Sequence, residues 1–152
     1  MSSELPTSPN RLFVAQSLLD AWVAAEYPGV AAVLDAIEAS GVRTAVLSNT
    51  NAAHWALIAE SEAARAAYPS VSRHHHLFLS HRLGLTKPDP AIFAAVEAAT
   101  GIDAARVLYF DDVLPYIEAA RAHGWHAEQI DHLVDSTAPQ LLAHLRRHGV
   151  IT

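Results

Sequence analysis

The sequence predicts an α/β domain whose parallel sheet is flanked by helices. Short apolar runs rich in strand formers alternate with stretches of helical periodicity, the signature of parallel βαβ units. The chain has 152 residues, 51% of them hydrophobic and 17% charged, enough apolar material for one well-filled core and too much for general disorder. Three of the apolar runs end directly in polar residues able to do chemistry, and in parallel sheets function gathers beyond the C-terminal ends of the strands.

Residues 1–8 are polar, contain Pro6 and read as a disordered tail. Ser8 followed by Pro9 is an N-cap signal, and Leu12, Leu19, Trp22, Val23 and Glu26 fall at helical spacing, so residues 9–26 read as helical. Val30, Val33, Leu34 and Ile37 lie on one face of a helix over 30–40 that Gly41 stops. Arg43 to Leu47 is a buried strand breaking at Ser48-Asn49-Thr50-Asn51, after which Trp55, Ile58 and Ala59 resume the helical period. The stretch from Tyr68 to His76 is irregular, and Leu77 to Ser80 is a second strand. Asp89 caps a helix that starts at Pro90, presents Ile92, Phe93 and Val96, and ends at Thr100-Gly101. Arg106 to Phe110 is a third strand running into Asp111-Asp112. Pro115 to His123 is helical up to Gly124, Trp125 to Ile130 is a fourth strand, and Ala138 to His148 is a last helix with Arg146 and Arg147 in its final turn.

The formal net charge is −6, which argues against nucleic acid as a partner because phosphate recognition needs a cationic face. No apolar run has the length of a membrane span, no secretory signal pattern opens the chain, and there is no cysteine. A cytoplasmic protein is expected. The ten histidines would carry the charge from −6 to −6 + 10 = +4 if all were protonated. His74-His75-His76 with His81 is the densest cluster, and His123 with His126 forms a second pair. Neighbours in an extended segment point to alternate faces, so zinc or nickel binding is the lesser reading and structural histidines the greater. Trp22, Trp55 and Trp125 read as core residues before pocket linings.

The strand ends bring together Ser48 and Asn49, the loop containing Lys87, and Asp111-Asp112. A hydroxyl before a helix N-terminus favours an anion, a lysine neutralises a phosphoryl oxygen, and paired carboxylates offer the hard oxygens that Mg²⁺ prefers. Alone, each of these is commonly a cap or a solvated residue. Their ordered placement at successive strand ends is what argues for a phosphate-plus-metal site.

The order Val46-Leu47-Ser48-Asn49, then Leu85-Thr86-Lys87-Pro88-Asp89-Pro90-Ala91-Ile92-Phe93, then Val107-Leu108-Tyr109-Phe110-Asp111-Asp112 resembles the haloacid dehalogenase-like (HAD) hydrolase superfamily over about residues 27 to 130. The resemblance implies a Rossmann-like, HAD-type parallel sheet, with residues 9–26 as a cap-like segment and 27–152 as the core. It implies an Mg²⁺-dependent phosphatase of small phosphorylated metabolites. Ser48 is then the phosphate-binding hydroxyl with Asn49 beside it, Lys87 the phosphate-binding and catalytic lysine, Asp111 the metal ligand and Asp112 its support. Tyr116 stands where the family often has Asn.

The family's chemistry starts from an apolar strand ending in Asp-x-Asp, whose first carboxylate attacks phosphorus. No Asp-x-Asp occurs here; Asp20 and Asp35 both fall in helical patterns, with Leu18-Leu19-Asp20-Ala21-Trp22 the nearest imitation. The sequence therefore predicts a sheet whose central first-motif strand is missing, a slot about 9.6 Å wide between the strands ending at Ser48 and Phe110. Either those strands close up or another chain lends one, making a homodimer through exposed strand edges. Filling by Arg11 to Ala15 is disfavoured by the helical spacing around it. Truncation of a longer enzyme and true loss of the nucleophile both explain the pattern. The expected outcomes are a hydrolase by descent with little activity, or a non-catalytic module that binds phosphate or a partner, or self-associates.

Overall fold

A computed structural model of the chain describes residues 12–15, 26–133 and 135–152. Five strands form one parallel sheet: β1 (Leu12–Ala15), β2 (Arg43–Ser48), β3 (His76–Leu79), β4 (Val107–Asp111) and β5 (His126–Gln129). Their spatial order is β3-β2-β1-β4-β5. The helices are α1 (Val30–Ala39), α2 (Ala52–Ala59), α3 (Glu62–Ala67), α4 (Ser80–Leu83), α5 (Pro90–Thr100), α6 (Leu114–His123) and α7 (Thr137–Arg147). The segment Pro69–Arg73 is a 3-10 turn.

The slot is not empty. Leu12–Ala15 occupies it, pairing with β2 from Leu12↔Arg43 to Ala15↔Val46 and with β4 from Leu12↔Val107 to Ala15↔Phe110. This corrects two expectations: the central strand is not missing, and residues 12–15 are extended, not helical. A central parallel strand is a short continuous apolar run, and a run of four cannot be told from a helix face by periodicity. The facing edges of β2 and β4, which were to recruit a second copy, are paired by the chain itself. The outer strands of the sheet are β3 and β5. The tail over 1–8, the Ser8-Pro9 cap, Asp20 and the rest of the cap-like segment up to residue 25 lie outside the described residues.

Side chains alternate across the strands, so each strand feeds two layers. On one face Val30, Val33, Leu34 and Ile37 of α1 pack with Leu108, Phe110 and Ile130 and with Leu141 and Leu145 of α7. Val46 and Leu79 pack with Trp55, Ile58, Tyr68 and Val71 beside them. The other face joins Ala45, Leu47, Val107 and Tyr109 to Ile92, Phe93 and Val96 of α5 and Ile117 and Ala120 of α6. Trp125 stands edge-on to Phe93 at 4.9 Å between ring centres, so Trp55 and Trp125 are core residues. Gly29 opens α1 with φ 85°, and a Cβ there would lie 2.8 Å from Cβ of Ala138, so a side chain would force α1 and α7 apart.

Candidate functional site

The C-terminal ends of β2 and β4, with the loop between α4 and α5, converge on one buried lysine. Ser48 ends β2 and is buried. The loop after it is pinned by Ser80, whose hydroxyl accepts from Thr50 N at 2.8 Å and donates to Thr50 O at 2.9 Å. Asn51 then caps α2 by accepting from His54 N at 2.9 Å. Asn49 grips the lysine's backbone at both ends: its Oδ1 accepts from Lys87 N at 2.9 Å and its Nδ2 donates to Lys87 O at 3.0 Å. A complementary two-point contact of this kind fixes where the Lys87 side chain starts. The Lys87-Pro88 peptide is cis, and Asp89 caps α5 as the sequence predicts, accepting from Ala91 N at 2.9 Å.

Lys87 and Asp111 have no side-chain exposure, and Lys87 Nζ lies 2.7 Å from Asp111 Oδ2. The ammonium also donates to Leu47 O at 3.2 Å. The phenol of Tyr109 donates to the same Asp111 oxygen, and Val113 N donates to Oδ1 at 2.9 Å. Burial pushes the Asp111 carboxyl above the ordinary carboxylate range, opposed by the Lys87 charge and by these three hydrogen bonds, all of which favour the anion. Two aromatic rings face the ammonium, Tyr116 at 4.9 Å and Tyr109 at 5.7 Å from Nζ to the ring centre. The Tyr116 hydroxyl accepts from Asn49 Nδ2 at 3.3 Å.

Asp112 sits farther out, its carbonyl accepting from Gln129 Nε2 at 2.9 Å and its Oδ2 lying 3.7 Å from His132 Nδ1. The two aspartates thus differ in kind. Both oxygens of Asp111 serve the protein, whereas the Asp112 side chain retains 19% exposure. Among the described residues no group of three or more histidine, aspartate or glutamate side chains could hold a metal. Mg²⁺ often takes only one or two carboxylates and completes its octahedron with water and phosphate oxygens, and Asp112 with Asp111 behind it fits that mode.

The structure brings together Asn49, Lys87 and Asp111, with Ser48 one residue beyond the Leu47 carbonyl and Asp112 one beyond Asp111. It does not unite the histidines. Both ring nitrogens of His74 are buried and neither is hydrogen-bonded, His75 Nδ1 accepts from Thr44 N at 3.1 Å, and His76 stacks on Phe78. His123 meets Glu97 at 2.9 Å while His126 faces His148. Tyr109 and His132 went unnoticed in the sequence. Tyr109 was findable, because residues two apart on a strand share a face and Asp111 lies two beyond it.

In register, Ala15 pairs with Val46 and Phe110, each one residue before Leu47 and Asp111, the two groups that hold the lysine. The chain continues from Ala15 as Gln16-Ser17-Leu18, without a carboxylate. A family profile described as haloacid dehalogenase-like hydrolase matches residues 9–124, from the segment holding β1 through the end of α6. The chain belongs to the haloacid dehalogenase-like hydrolases. In fold it is similar to an uncharacterised protein from Corynebacterium glutamicum, with TM-score 0.65 and 18% identity over 93% of this chain and 96% of that one. It is also similar to the L-2-haloacid dehalogenase RSc1362, with TM-score 0.66 and 21% identity over 80% of this chain and 57% of the other. The HAD family enzyme bt-2542 from Bacteroides thetaiotaomicron, solved with magnesium and inorganic phosphate, aligns with TM-score 0.58 and 25% identity over 70% of this chain and 52% of its own. In sequence, 52 residues are 36% identical to Phosphatase MT3486 of Mycobacterium tuberculosis, over 34% of this chain and 24% of that protein. The match therefore spans about a quarter of that curated relative. No described helix of this HAD chain is long and apolar enough to cross a membrane.

Proposed function

We propose that this HAD-family protein binds the phosphoryl group of a small phosphorylated molecule and does not hydrolyse it. Phosphate binding is supported by the survival of the lysine, the Ser48-Asn49 loop and the aspartate pair at adjoining strand ends. It is also supported by the phosphatase name of one relative and the phosphate held by one structural neighbour. The single observation that carries the loss of turnover is β1. The strand that the resemblance requires is present, and the residues following it are Gln16-Ser17-Leu18 where a nucleophilic carboxylate is needed. An amide and a hydroxyl cannot form an aspartyl-phosphate, so charge neutralisation has no covalent step to serve.

In this reading Ser48 and the N–H groups of the loop before α2 hold phosphoryl oxygens, and Lys87 supplies the compact positive charge. Asn49 keeps Lys87 in place through its backbone. Asp112, supported by Asp111, would hold Mg²⁺, the reverse of the roles the resemblance implies, because both Asp111 oxygens are engaged within the protein; the ion would supply further neutralisation of phosphoryl charge.

Titration of the full chain with inorganic phosphate in the presence of Mg²⁺ tests the reading, paired with para-nitrophenyl phosphate turnover. Binding that Lys87→Ala abolishes, with no phosphate released above background, is the expected result. Robust Mg²⁺-dependent turnover that Asp111→Ala removes would overturn the inactive reading. Absence of phosphate binding in the folded protein would overturn the phosphate site.

A further inference from the structure

We infer that Tyr109 is a positioning residue for the phosphoryl group: it stands in for Lys87 at the Asp111 carboxylate, so that the ammonium can turn to an incoming anion. The inference rests on the phosphate-binding reading for its ligand, and on the packing of β4 for the exchange itself. Asp111 Oδ2 accepts from two side chains, the Lys87 ammonium at 2.7 Å and the Tyr109 phenol. Oδ1 accepts from Val113 N at 2.9 Å, which holds the carboxylate in one orientation.

The two donors on Oδ2 differ in freedom. Tyr109 is fully buried, and its ring stands edge-on to Trp125 at 5.7 Å and to Phe93 at 6.3 Å between centres. It lies two residues before Asp111 on one strand, and therefore on the same face of the sheet. The phenol thus meets the carboxylate from a packed wall. Lys87 meets it at the end of a four-carbon stem, through an ammonium with rotatable donors. One donor is built in and the other can be redirected.

An anion that draws the ammonium away removes part of what compensates Asp111 at a buried site, where a poorly satisfied carboxylate is costly. The phenol bond strengthens as the lysine bond weakens, because the oxygen is then shared less. Tyr109 therefore contributes more to the phosphate-bound state than to the free one, and only such a difference changes affinity. Without its hydroxyl, Asp111 and the anion compete for the same cation.

Lys87 is the only lysine in the chain, so isotope-labelled lysine gives one side-chain NMR signal that reports on this ammonium. The full chain and two variants are titrated with inorganic phosphate in the presence of Mg²⁺ while that signal is followed. Tyr109→Phe keeps the ring and removes the donor. Val96→Ala truncates the same core layer and keeps the donor, so it reports what lost packing alone does. In Tyr109→Phe the Lys87 signal of the free protein is expected to shift. Phosphate should bind this variant about tenfold more weakly, the worth of one hydrogen bond to a charged group. Val96→Ala is expected to bind phosphate as wild type does. An affinity unchanged in Tyr109→Phe, or lost equally in Val96→Ala, overturns the role assigned to the hydroxyl. No phosphate bound by wild type overturns the phosphate reading and the exchange with it. A free-protein Lys87 signal that also ignores Tyr109→Phe would show separately that phenol and ammonium are uncoupled.

Discussion

Lys87 and Asp111 form an ion pair without solvent, and such a pair is asymmetric in its energetics. Two charges taken from water together gain little over a well-packed apolar pair, but removing one partner strands the other at about 3–5 kcal/mol. Lys87→Met should therefore destabilise the protein by about that amount. Adding Asp111→Asn to Lys87→Met should recover much of the loss, because no buried carboxylate then lacks its cation. Urea unfolding of the two single variants and the double variant checks this. A double variant that is the sum of its singles would mean that the two charges do not act on each other. The aspartates also separate at this scale: Asp111 is engaged by Lys87, Tyr109 and Val113, whereas Asp112 is partly exposed and lies beside His132.

At the level of elements, β1 decides what kind of protein this is. Val14 pairs with Ala45 on one side and Tyr109 on the other, so its backbone has no free edge. Val14→Pro removes a donor from the middle of the sheet and should cost at least about 1–3 kcal/mol for the carbonyl left unpaired, before any steric penalty. A urea midpoint unchanged by this substitution would contradict the pairing. The other strands were legible in the sequence because each is bounded by glycine, proline or a polar break. Asn49, Lys87 and Asp111 were legible because they stand at the ends of those strands. Leu12–Ala15 was not, since four apolar residues beside helically spaced Leu19, Trp22 and Val23 carry no period of their own. Tyr109 and His132 were hidden for a different reason: their roles come from contacts with Asp111 and Asp112, and contacts across a fold leave no spacing rule.

Across the whole molecule the histidines make stability depend on pH through at least one identifiable residue. The ring nitrogens of His74 are buried without a hydrogen-bond partner, and their burial, with the neighbouring His75 and Arg73 charges adding to it, pushes its pKa down to about 4. Between about 4 and the ordinary value of 6.5 the unfolded chain binds a proton here that the folded one refuses, so stability is full above 6.5 and is lost as pH falls towards 4. The loss is at most about 3 kcal/mol from this residue. His74→Leu should flatten that part of the profile, measured as the difference in urea stability between pH 7 and pH 4.5. A variant with the same slope as wild type would assign the dependence to other groups.

The position of β1 also bears on how the protein is made. Leu12 pairs with Val107, a separation of 107 − 12 = 95 residues, so the second edge of β1 finds its partner only after most of the chain has left the ribosome. Until then a nascent half-sheet of β1, β2 and β3 presents one side of its earliest strand bare, an open template for any extended peptide nearby. Synthesis that stalls between Leu79 and Val107 should thus be the interval at which this protein is most exposed to aggregation and most in need of a chaperone.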